Sequence, residues 1–338
     1  MNQMSLIGSD ELNQFYSKKF YFSYSSINKL LFSPSAFYNH YVLKQKEDST
    51  DAHLVAGRVL HCLLLEENKF NDQFIVLPSK VPKDNNKLIL DEIYIHHCLT
   101  GNHSLTLSDY NQEILDILLR INLHQSLKTD QQRLEKIITE DNKNYFEFLK
   151  NCQGKTIVDQ QTLDGCRVSV EILKSNTTVR ALMQLDKDED DPVDIHNELQ
   201  LQMDIPNLPF GYKGVLDNVV IDYAAKIIFV NDLKTTGKNL ADFPEAVKFY
   251  KYWIQAVVYM KLAHNQFIKD LFDADEWNII VTFIVIDKYN QVYPFQVSKE
   301  SLNMWQNDFV DIENVLTYHY VEKDYTLPYD LALGNIKL

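Results

Sequence analysis

Alternating apolar and polar positions begin near residue 193 and predict a strand-rich segment. Four apolar residues separated by polar ones have the two-residue period of a half-buried strand. They are Leu199, Leu201, Met203 and Ile205. Two further strands are predicted at about 212–222 and 226–235, joined by a tight turn at Tyr223-Ala-Ala. The spacing indicates a hairpin made of the second and third strands.

A helical period follows this hairpin. Asp242 can accept hydrogen bonds from first-turn amides, and Glu245 stands at the capping-box position, so a helix is predicted from Asp242 to about His264. Beyond it, the pattern predicts strands at 277–286 and 291–297 and a helix from 299.

Helical patterns dominate the rest of the chain. In the aromatic-rich N-terminal part, a short helix starting at Ser26 is predicted to stop before Pro34. Other helices are predicted at 57–67, near 108–125 and at 130–150. The polar middle segment ends in an acidic run at 186–191, for which a solvated loop is favoured over an interaction surface.

Bulk composition excludes several classes of protein. The 338 residues are 45% hydrophobic and long enough for one large domain or two ordinary ones. The longest apolar stretch, 279–286, is too short to cross a bilayer, and the N-terminus lacks the pattern of a signal peptide. The four cysteines are scattered without a C-x-x-C pair, which argues against a zinc ribbon, an iron–sulfur cluster or a disulfide scaffold. We therefore expect a cytoplasmic protein without a membrane partner.

Two acids and a lysine on the predicted hairpin carry the strongest chemical signal. Asp232 and Lys234 are two residues apart, so they share one face of a strand, and Asp217 lies on the preceding strand. The hairpin would place both acids side by side at neighbouring strand ends. A divalent cation between them would remove their repulsion, and a nearby lysine could orient or help to deprotonate an attacking water. The alternative is a surface ion pair, but both charges end an apolar strand, where isolated charges are costly.

These residues belong to a set of motifs that resembles the RecB/RecE branch of the PD-(D/E)xK nuclease superfamily, most closely the phage RecE-type (exodeoxyribonuclease VIII-like) exonucleases. The segments that match, in order, are SYSSINKLLFSPSAFYNHYVL near the N-terminus, AGRVLH at 56–61, GVLD at 214–217 with NDLKTT at 231–236, and Gln255-Ala-Val-Val-Tyr259. The resemblance spans both ends of the chain and covers 80–190 poorly.

The resemblance implies an α/β fold with a PD-(D/E)xK nuclease core, in which helices flank a central mixed β-sheet and a mostly helical insertion interrupts it. One nuclease domain would then comprise an N-terminal helical part at 1–80, the insertion at 81–192 and a catalytic α/β core at 193–338.

The resemblance also implies roles for individual residues. His61, Asp217 and Asp232 would bind metal, Lys234 would position the water, and Gln255 with Tyr259 would belong to the catalytic site. A lone histidine on an apolar helix can equally be a hydrogen-bonded core residue, and a packed helix could equally hold the tyrosine. Glu198 falls on the polar face of its strand and is a candidate ligand or support of a ligand.

Four further residues are candidate DNA contacts. Lys213, Ser25 and Ser26 could bind phosphate, with surface solvation as the alternative for the lysine and helix capping for the serines. Tyr252 belongs to the aromatic stretch at 249–253, which could stack bases or form part of the core.

We therefore hypothesise a Mg²⁺-dependent exonuclease, with Mn²⁺ expected to substitute. By resemblance, it would act in the cytoplasm of a bacterial host cell and digest linear double-stranded DNA 5′→3′ to leave 3′ single strands for recombination. The resemblance also implies a single-strand annealing protein as a partner and a toroidal homo-oligomer as its assembly. The alternatives are a non-catalytic DNA-binding or assembly protein with a nuclease-like fold and a restriction-type endonuclease.

The distribution of charge bears on this hypothesis. A formal charge of −14, from 33 basic and 47 acidic residues, argues at first against a general nucleic-acid binder. Residues 1–47 and 205–261, however, each carry a net charge of +2, so the acidity lies in the remaining segments. We expect weak non-specific binding, with contact limited to a channel around the metal and an affinity that falls with salt.

Overall fold

A computed structural model describes residues 14–45, 52–186 and 192–336, which form two compact units. Unit 1 draws its residues from 1–50 and 169–338, and unit 2 from 51–168. The unit boundaries differ from the predicted divisions at 80 and 192. The segment 52–80 belongs to unit 2 with the helices that follow it, and the segment from 169 onward already belongs to the sheet-containing unit.

Within its described residues, unit 1 contains six strands in one mixed sheet; the mixed sheet was predicted, but the short strand β1 was not. Its strands are β1 Tyr21–Phe22, β4 Val193–Asp204, β5 Gly211–Asp222, β6 Ile227–Thr236, β7 Asn278–Asp287 and β8 Val292–Gln296. Unit 2 contributes a separate parallel pair, β2 Phe74–Val76 and β3 Thr156–Val158. The described residues include the α-helices α1 Tyr24–Phe32, α2 Pro34–Phe37, α3 Ala52–Leu65, α4 Phe70–Gln73, α5 Asp84–Thr100, α6 Asn111–Arg120, α7 Asp130–Ile137, α8 Glu140–Asn151, α9 Gln160–Ser175, α10 Thr177–Met183, α11 Phe243–Phe249, α12 Tyr252–Phe267, α13 Lys299–Glu322 and α14 Tyr329–Ala332.

The β5 strand pairs with other strands along both edges, and two different strands share one of those edges. β4 runs antiparallel along nearly its whole length, from Asp204↔Gly211 to Val193↔Asp222. On the other edge, β1 pairs with the first two residues of β5, whereas β6 pairs only with residues 218–222. β6 then continues in parallel register with β7 as far as Thr236. The stretch between the two pairings is where β5 and β6 separate.

Helices cover both faces of this sheet. Residues 231 and 232 are neighbours in β6, so their side chains point to opposite faces of the sheet. Asn231 donates to the carbonyl of Leu182 in α10 on one face, and Asp232 accepts from Gln255 in α12 on the other. The α12 helix is buried along residues 254–259 and packs across the central strands of the sheet. The predicted central mixed sheet with flanking helices is therefore confirmed.

The prediction of one continuous helix from Asp242 to about His264 is wrong. It is two helices, α11 and α12, separated at Tyr250 and Lys251, because Lys251 adopts a left-handed conformation with φ of 56°. The predicted capping role of Asp242 is also absent, since its side chain makes no capping hydrogen bond. The turn after β5 is confirmed: the carboxylate of Asp222 accepts from the amide of Ala225 at 2.8 Å.

Unit 2 is mostly helical and has its own apolar core. The α5 helix was not predicted, while the predicted helix at 130–150 is divided into α7 and α8 near Thr139. Buried side chains of α5, α6 and α8 pack together, among them Ile93, Leu118 and Phe146. No helix of the described residues in either unit is long and apolar enough to span a bilayer.

Candidate metal centre

Two buried aspartates lie at the point where β5 and β6 separate, which we call the fork. The last pair that joins the two strands is Asn218↔Asn231, so Asp217 and Asp232 are the next residues beyond it. The carboxylate Oδ2 of Asp217 accepts from the amide of Leu233 at 2.7 Å, where a strand–strand bond would otherwise continue. The predicted hairpin is present, but the two acids lie inside long strands rather than at strand ends.

Asp232 is the most enclosed of the acids, with only 1% of its surface exposed. Its Oδ1 accepts from Nε2 of Gln255 at 2.8 Å, and its Oδ2 lies 2.6 Å from Nζ of Lys234. Burial alone would lower the pKa of Lys234, but the charges of Asp232 and Asp217 outweigh it and raise that pKa above its ordinary value. Lys234 therefore carries its positive charge beside the two acids.

A third carboxylate comes from the outer strand β4. Glu198 is the residue opposite Asp217, between the pairs Asn197↔Asn218 and Leu199↔Leu216, and a carboxylate oxygen of each lies within 4.8 Å of the other. Glu198 has a φ of 46°, a left-handed conformation that is unfavourable for a residue with a side chain. Glu198 is half-buried, whereas Gln200, two residues further along β4, is exposed.

The charge of this cluster fits a hard divalent cation. Three carboxylates and one ammonium give a formal charge of −2 in a largely buried place, where like charges repel strongly. Carboxylate oxygens are the protein ligands that Mg²⁺ prefers, and each oxygen has lone pairs beyond those used by Gln255, Lys234 and Leu233. The residues that could hold the ion in unit 1 are Glu198, Asp217 and Asp232.

Tyr259 packs against the same strands one turn along α12 from Gln255. Burial, reinforced by the charges of Asp232 and Asp217, raises the pKa of its hydroxyl well above the ordinary value. Its ring lies so close to β5 that a Cβ added at Gly214 would come within 2.8 Å of it. The glycine of the GVLD segment therefore permits the close approach of α12 to the strand that carries Asp217.

Aromatic residues border the lysine. Nζ of Lys234 lies 5.0 Å from the ring centre of Tyr252, a distance typical of a cation–π contact. Tyr24 of α1 lies 6.2 Å from Tyr252, ring centre to ring centre, and donates its hydroxyl to the carbonyl of Tyr250 at 2.5 Å. Burial raises the pKa of Tyr24, with smaller contributions from Tyr252 and the charge of Asp232.

Sequence reasoning missed Tyr24 and also an asparagine pair on the opposite face of the sheet. Asn231 donates to Asn218 at 2.8 Å and to the carbonyl of Leu182 at 2.9 Å. Asn218 donates in turn to Asn197 on β4 at 2.9 Å. These bonds join three strands directly behind the acids. The only signal in the sequence was an asparagine adjacent to each aspartate.

Three other predicted residues, Ser25, Ser26 and Lys213, lie on α1 and β5 of unit 1. Ser25 is exposed on α1, and Lys213 is exposed on β5. Ser26 is buried and its hydroxyl closes a capping box with Ser23, which is the helix-capping alternative. His61 lies half-buried on α3 of unit 2, so its role as a ligand stays a prediction.

Comparisons with known proteins add little to this geometry. No protein-family model matches the chain, and no curated protein sequence is significantly similar to it. Among solved structures, it is similar to a crystal structure described as a "putative exonuclease" from Eubacterium rectale, with 11% sequence identity. The similarity covers 100% of this chain and 94% of the other, with a TM-score of 0.45. A likeness at this level carries no conclusion about activity.

Proposed function

We propose that this chain is a metal-dependent deoxyribonuclease that hydrolyses phosphodiester bonds from the ends of linear double-stranded DNA. The observation that carries the proposal is the meeting of three carboxylates and a lysine at the fork, two of the acids being less than a tenth exposed. Three of these residues, Asp217, Asp232 and Lys234, lie in the sequence motifs that resemble RecE-type exonucleases, which supports the choice of reaction.

Glu198, Asp217 and Asp232 are the proposed ligands of the cation, and the resemblance adds His61 to them. A bound Mg²⁺ would neutralise charge on the phosphate and polarise a water molecule. Asp217 is held in place by the amide of Leu233, and Asp232 by Gln255. These bonds orient the carboxylates before any ligand arrives, which reduces the reorganisation that binding requires.

Lys234 is proposed to position the attacking water by donating a hydrogen bond to it. Its ammonium group is placed by two neighbours, the Asp232 carboxylate at 2.6 Å and the Tyr252 ring at 5.0 Å. The same positive charge would stabilise the negative charge that develops on the phosphate. Gln255 and Tyr259 act on this arrangement from α12, Gln255 by direct contact with Asp232 and Tyr259 by packing on β5.

The finer features of the proposal rest on the resemblance alone. They are digestion in the 5′→3′ direction, release of 3′ single strands for recombination inside a bacterial cell, cooperation with a single-strand annealing protein, and a toroidal homo-oligomer. Lys213 and Ser25 are exposed and remain proposed phosphate contacts. Ser26 is not included, because its hydroxyl is buried within the helix cap.

The proposal is tested with end-labelled linear duplex and closed circular duplex of the same sequence, incubated with Mg²⁺. We expect the wild type to release label from the linear form and to leave the circle uncut, and Asp232→Ala to release no label above background. Cleavage of the circle would favour a restriction-type endonuclease. Release by Asp232→Ala at the wild-type rate would refute the site, and no hydrolysis by the wild type, with no heat of Mg²⁺ binding, would favour a non-catalytic DNA-binding protein.

A further inference from the structure

An exposed pair of aromatic side chains lies at the junction of α11 and α12. Phe249 is 74% exposed and Tyr250 is 44% exposed, and their ring centres lie 4.9 Å apart in an edge-to-face arrangement. A single exposed aromatic side chain needs no explanation, but contiguous exposed apolar surface commonly marks a binding site. The sequence left two alternatives for residues 249–253, a core cluster or a base-stacking surface. Tyr252 packs against the core of unit 1, but Phe249 and Tyr250 lie outside it.

The exposed pair is connected to the candidate metal centre through a series of short steps. Tyr250 stacks on Tyr252 with 5.5 Å between ring centres, and Tyr252 lies 5.0 Å from Nζ of Lys234. Lys234 contacts Asp232 at 2.6 Å. We call Tyr252, Tyr250 and Phe249 the aromatic ladder. Exposure increases along the ladder, from the partly buried Tyr252 to the mostly exposed Phe249.

The outer end of the ladder is held in a fixed position. The carbonyl of Tyr250 accepts from the hydroxyl of Tyr24 at 2.5 Å and from Nδ2 of Asn28 at 3.3 Å, so two residues of α1 fix the backbone at this point. Lys251 next to it has a φ of 56°, which ends α11 and separates it from α12. A surface that is already ordered loses little conformational entropy when a ligand binds to it.

The charge beside the ladder suits a nucleic-acid strand. The segment 248–251 reads Lys-Phe-Tyr-Lys, with an exposed Lys248 and a half-exposed Lys251 on either side of the aromatic pair. Exposed rings interleaved with lysines are the parts with which proteins hold single strands, because the rings stack on bases and the lysines neutralise phosphates. Successive bases of a single strand stack on separate aromatic side chains, so the ladder offers places for a few nucleotides.

We propose that Phe249 and Tyr250 form a stacking site for unpaired bases at a DNA end, and that the aromatic ladder leads this single strand past the metal centre. The inference rests on the proposed nuclease function for its substrate, but it assigns a separate binding surface that contains none of the proposed metal ligands. It also implies a preference for ends with a few unpaired nucleotides over fully paired blunt ends.

The test uses a short duplex with a four-nucleotide single-stranded tail that carries 2-aminopurine, with Ca²⁺ in place of Mg²⁺ to prevent turnover. The fluorescence of 2-aminopurine falls when the base stacks, so it reports the contact directly. Tails on the 5′ and on the 3′ strand are measured separately. Phe272→Ala is the matched control, because Phe272 is fully exposed in the same unit but lies away from the ladder in sequence, after α12.

For the wild type we expect quenching with at least one tail, and for Phe249→Ala and Tyr250→Ala a loss of quenching with an increase in Kd of about 5- to 150-fold. Phe249→Trp should keep both properties, and Phe272→Ala should match the wild type. Equal quenching and equal Kd in the wild type and both alanine variants would overturn the inference.

Hydrolysis of blunt linear duplex by the wild type in Mg²⁺ separates this outcome from failure of the proposed function. If the wild type hydrolyses DNA while the alanine variants bind the tailed duplex as it does, only the stacking site is refuted. If the wild type hydrolyses no DNA but shows the quenching that the alanine variants lose, the proposed activity is refuted and the stacking site stands.

Discussion

Replacing Gly214 by alanine tests whether the close approach of α12 to β5 positions the metal centre. A methyl group at this position would come 2.8 Å from Cε1 of Tyr259 and 3.1 Å from Cδ1 of Leu262. Carbon atoms in contact are about 3.5–4.0 Å apart, so the helix must move or the ring must leave its position. Tyr259 is 8% exposed and cannot simply turn into solvent.

Overpacking of this kind costs about 1–3 kcal/mol, against a gain of about 0.5–1 kcal/mol from replacing glycine within a strand. We therefore expect Gly214→Ala to lower the free energy of unfolding by about 0.5–2 kcal/mol, and to lower Tm by about 2–4 °C for each kcal/mol lost. Because Gln255 lies one turn from Tyr259 on the same helix, a displaced α12 should also loosen the Gln255–Asp232 bond and slow hydrolysis.

The assays are urea denaturation and single-turnover hydrolysis of a labelled linear duplex. Gly237→Ala is the control, since a methyl group there would meet nothing within 4 Å. In a double-mutant cycle, Tyr259→Leu should cost less in the Gly214→Ala background than alone, since the smaller side chain relieves the overlap. If Gly214→Ala unfolds and hydrolyses DNA as Gly237→Ala does, the reasoning about this contact is refuted.

Two further predictions concern a buried hydrogen bond and a buried histidine. Gln255→Ala should lower the free energy of unfolding by about 1–3 kcal/mol and slow hydrolysis, because the buried Oδ1 of Asp232 loses its hydrogen-bond donor. Gln200→Ala, at an exposed position, is the control. Equal urea midpoints for the two variants would contradict this prediction. Burial lowers the pKa of His319 below its ordinary value, outweighing the carbonyl and charge of Asp324. Below pH about 6.5 the unfolded chain therefore binds a proton at His319 that the folded chain resists, so the contribution of this residue to stability is full above that pH and falls below it. The free energy of unfolding, measured with urea, should fall less between pH 7.5 and pH 5.5 in His319→Gln than in the wild type.

The local pattern of apolar and polar residues was sufficient to predict a strand where one face of that strand is buried and the other is not. The alternation at 199–205 predicted β4, and the two-residue spacing of Asp232 and Lys234 predicted a shared face, which the ion pair between them confirms. The turn after β5 was predictable because it is short and local. These features depend on residues that are near one another in sequence.

The missed features depend on distant contacts or on mixed patterns. The break at Lys251 follows from bonds between Tyr250 and α1, more than 200 residues away in sequence, whereas the local period favoured one helix. The α5 helix was missed because apolar residues occupy both of its faces, with Leu99 exposed and Ile93 buried. The left-handed Glu198 had no local signal, because glutamate has no preference for that conformation.

The central claim is that the carboxylates at the fork hold the cation that DNA hydrolysis needs. The most direct test is the rate at which nucleotides are released from a linear duplex as Mg²⁺ is titrated into the wild type, Asp217→Asn and Asp270→Asn. The last variant removes an exposed acid in the same unit and serves as the charge-matched control. We predict Mg²⁺-dependent release by the wild type and Asp270→Asn, and a rate lower by about 100-fold or more in Asp217→Asn, since even indirect partners of a metal cost about 10- to 100-fold. Release by Asp217→Asn at the wild-type rate, or release that persists after Mg²⁺ is chelated, would contradict the account.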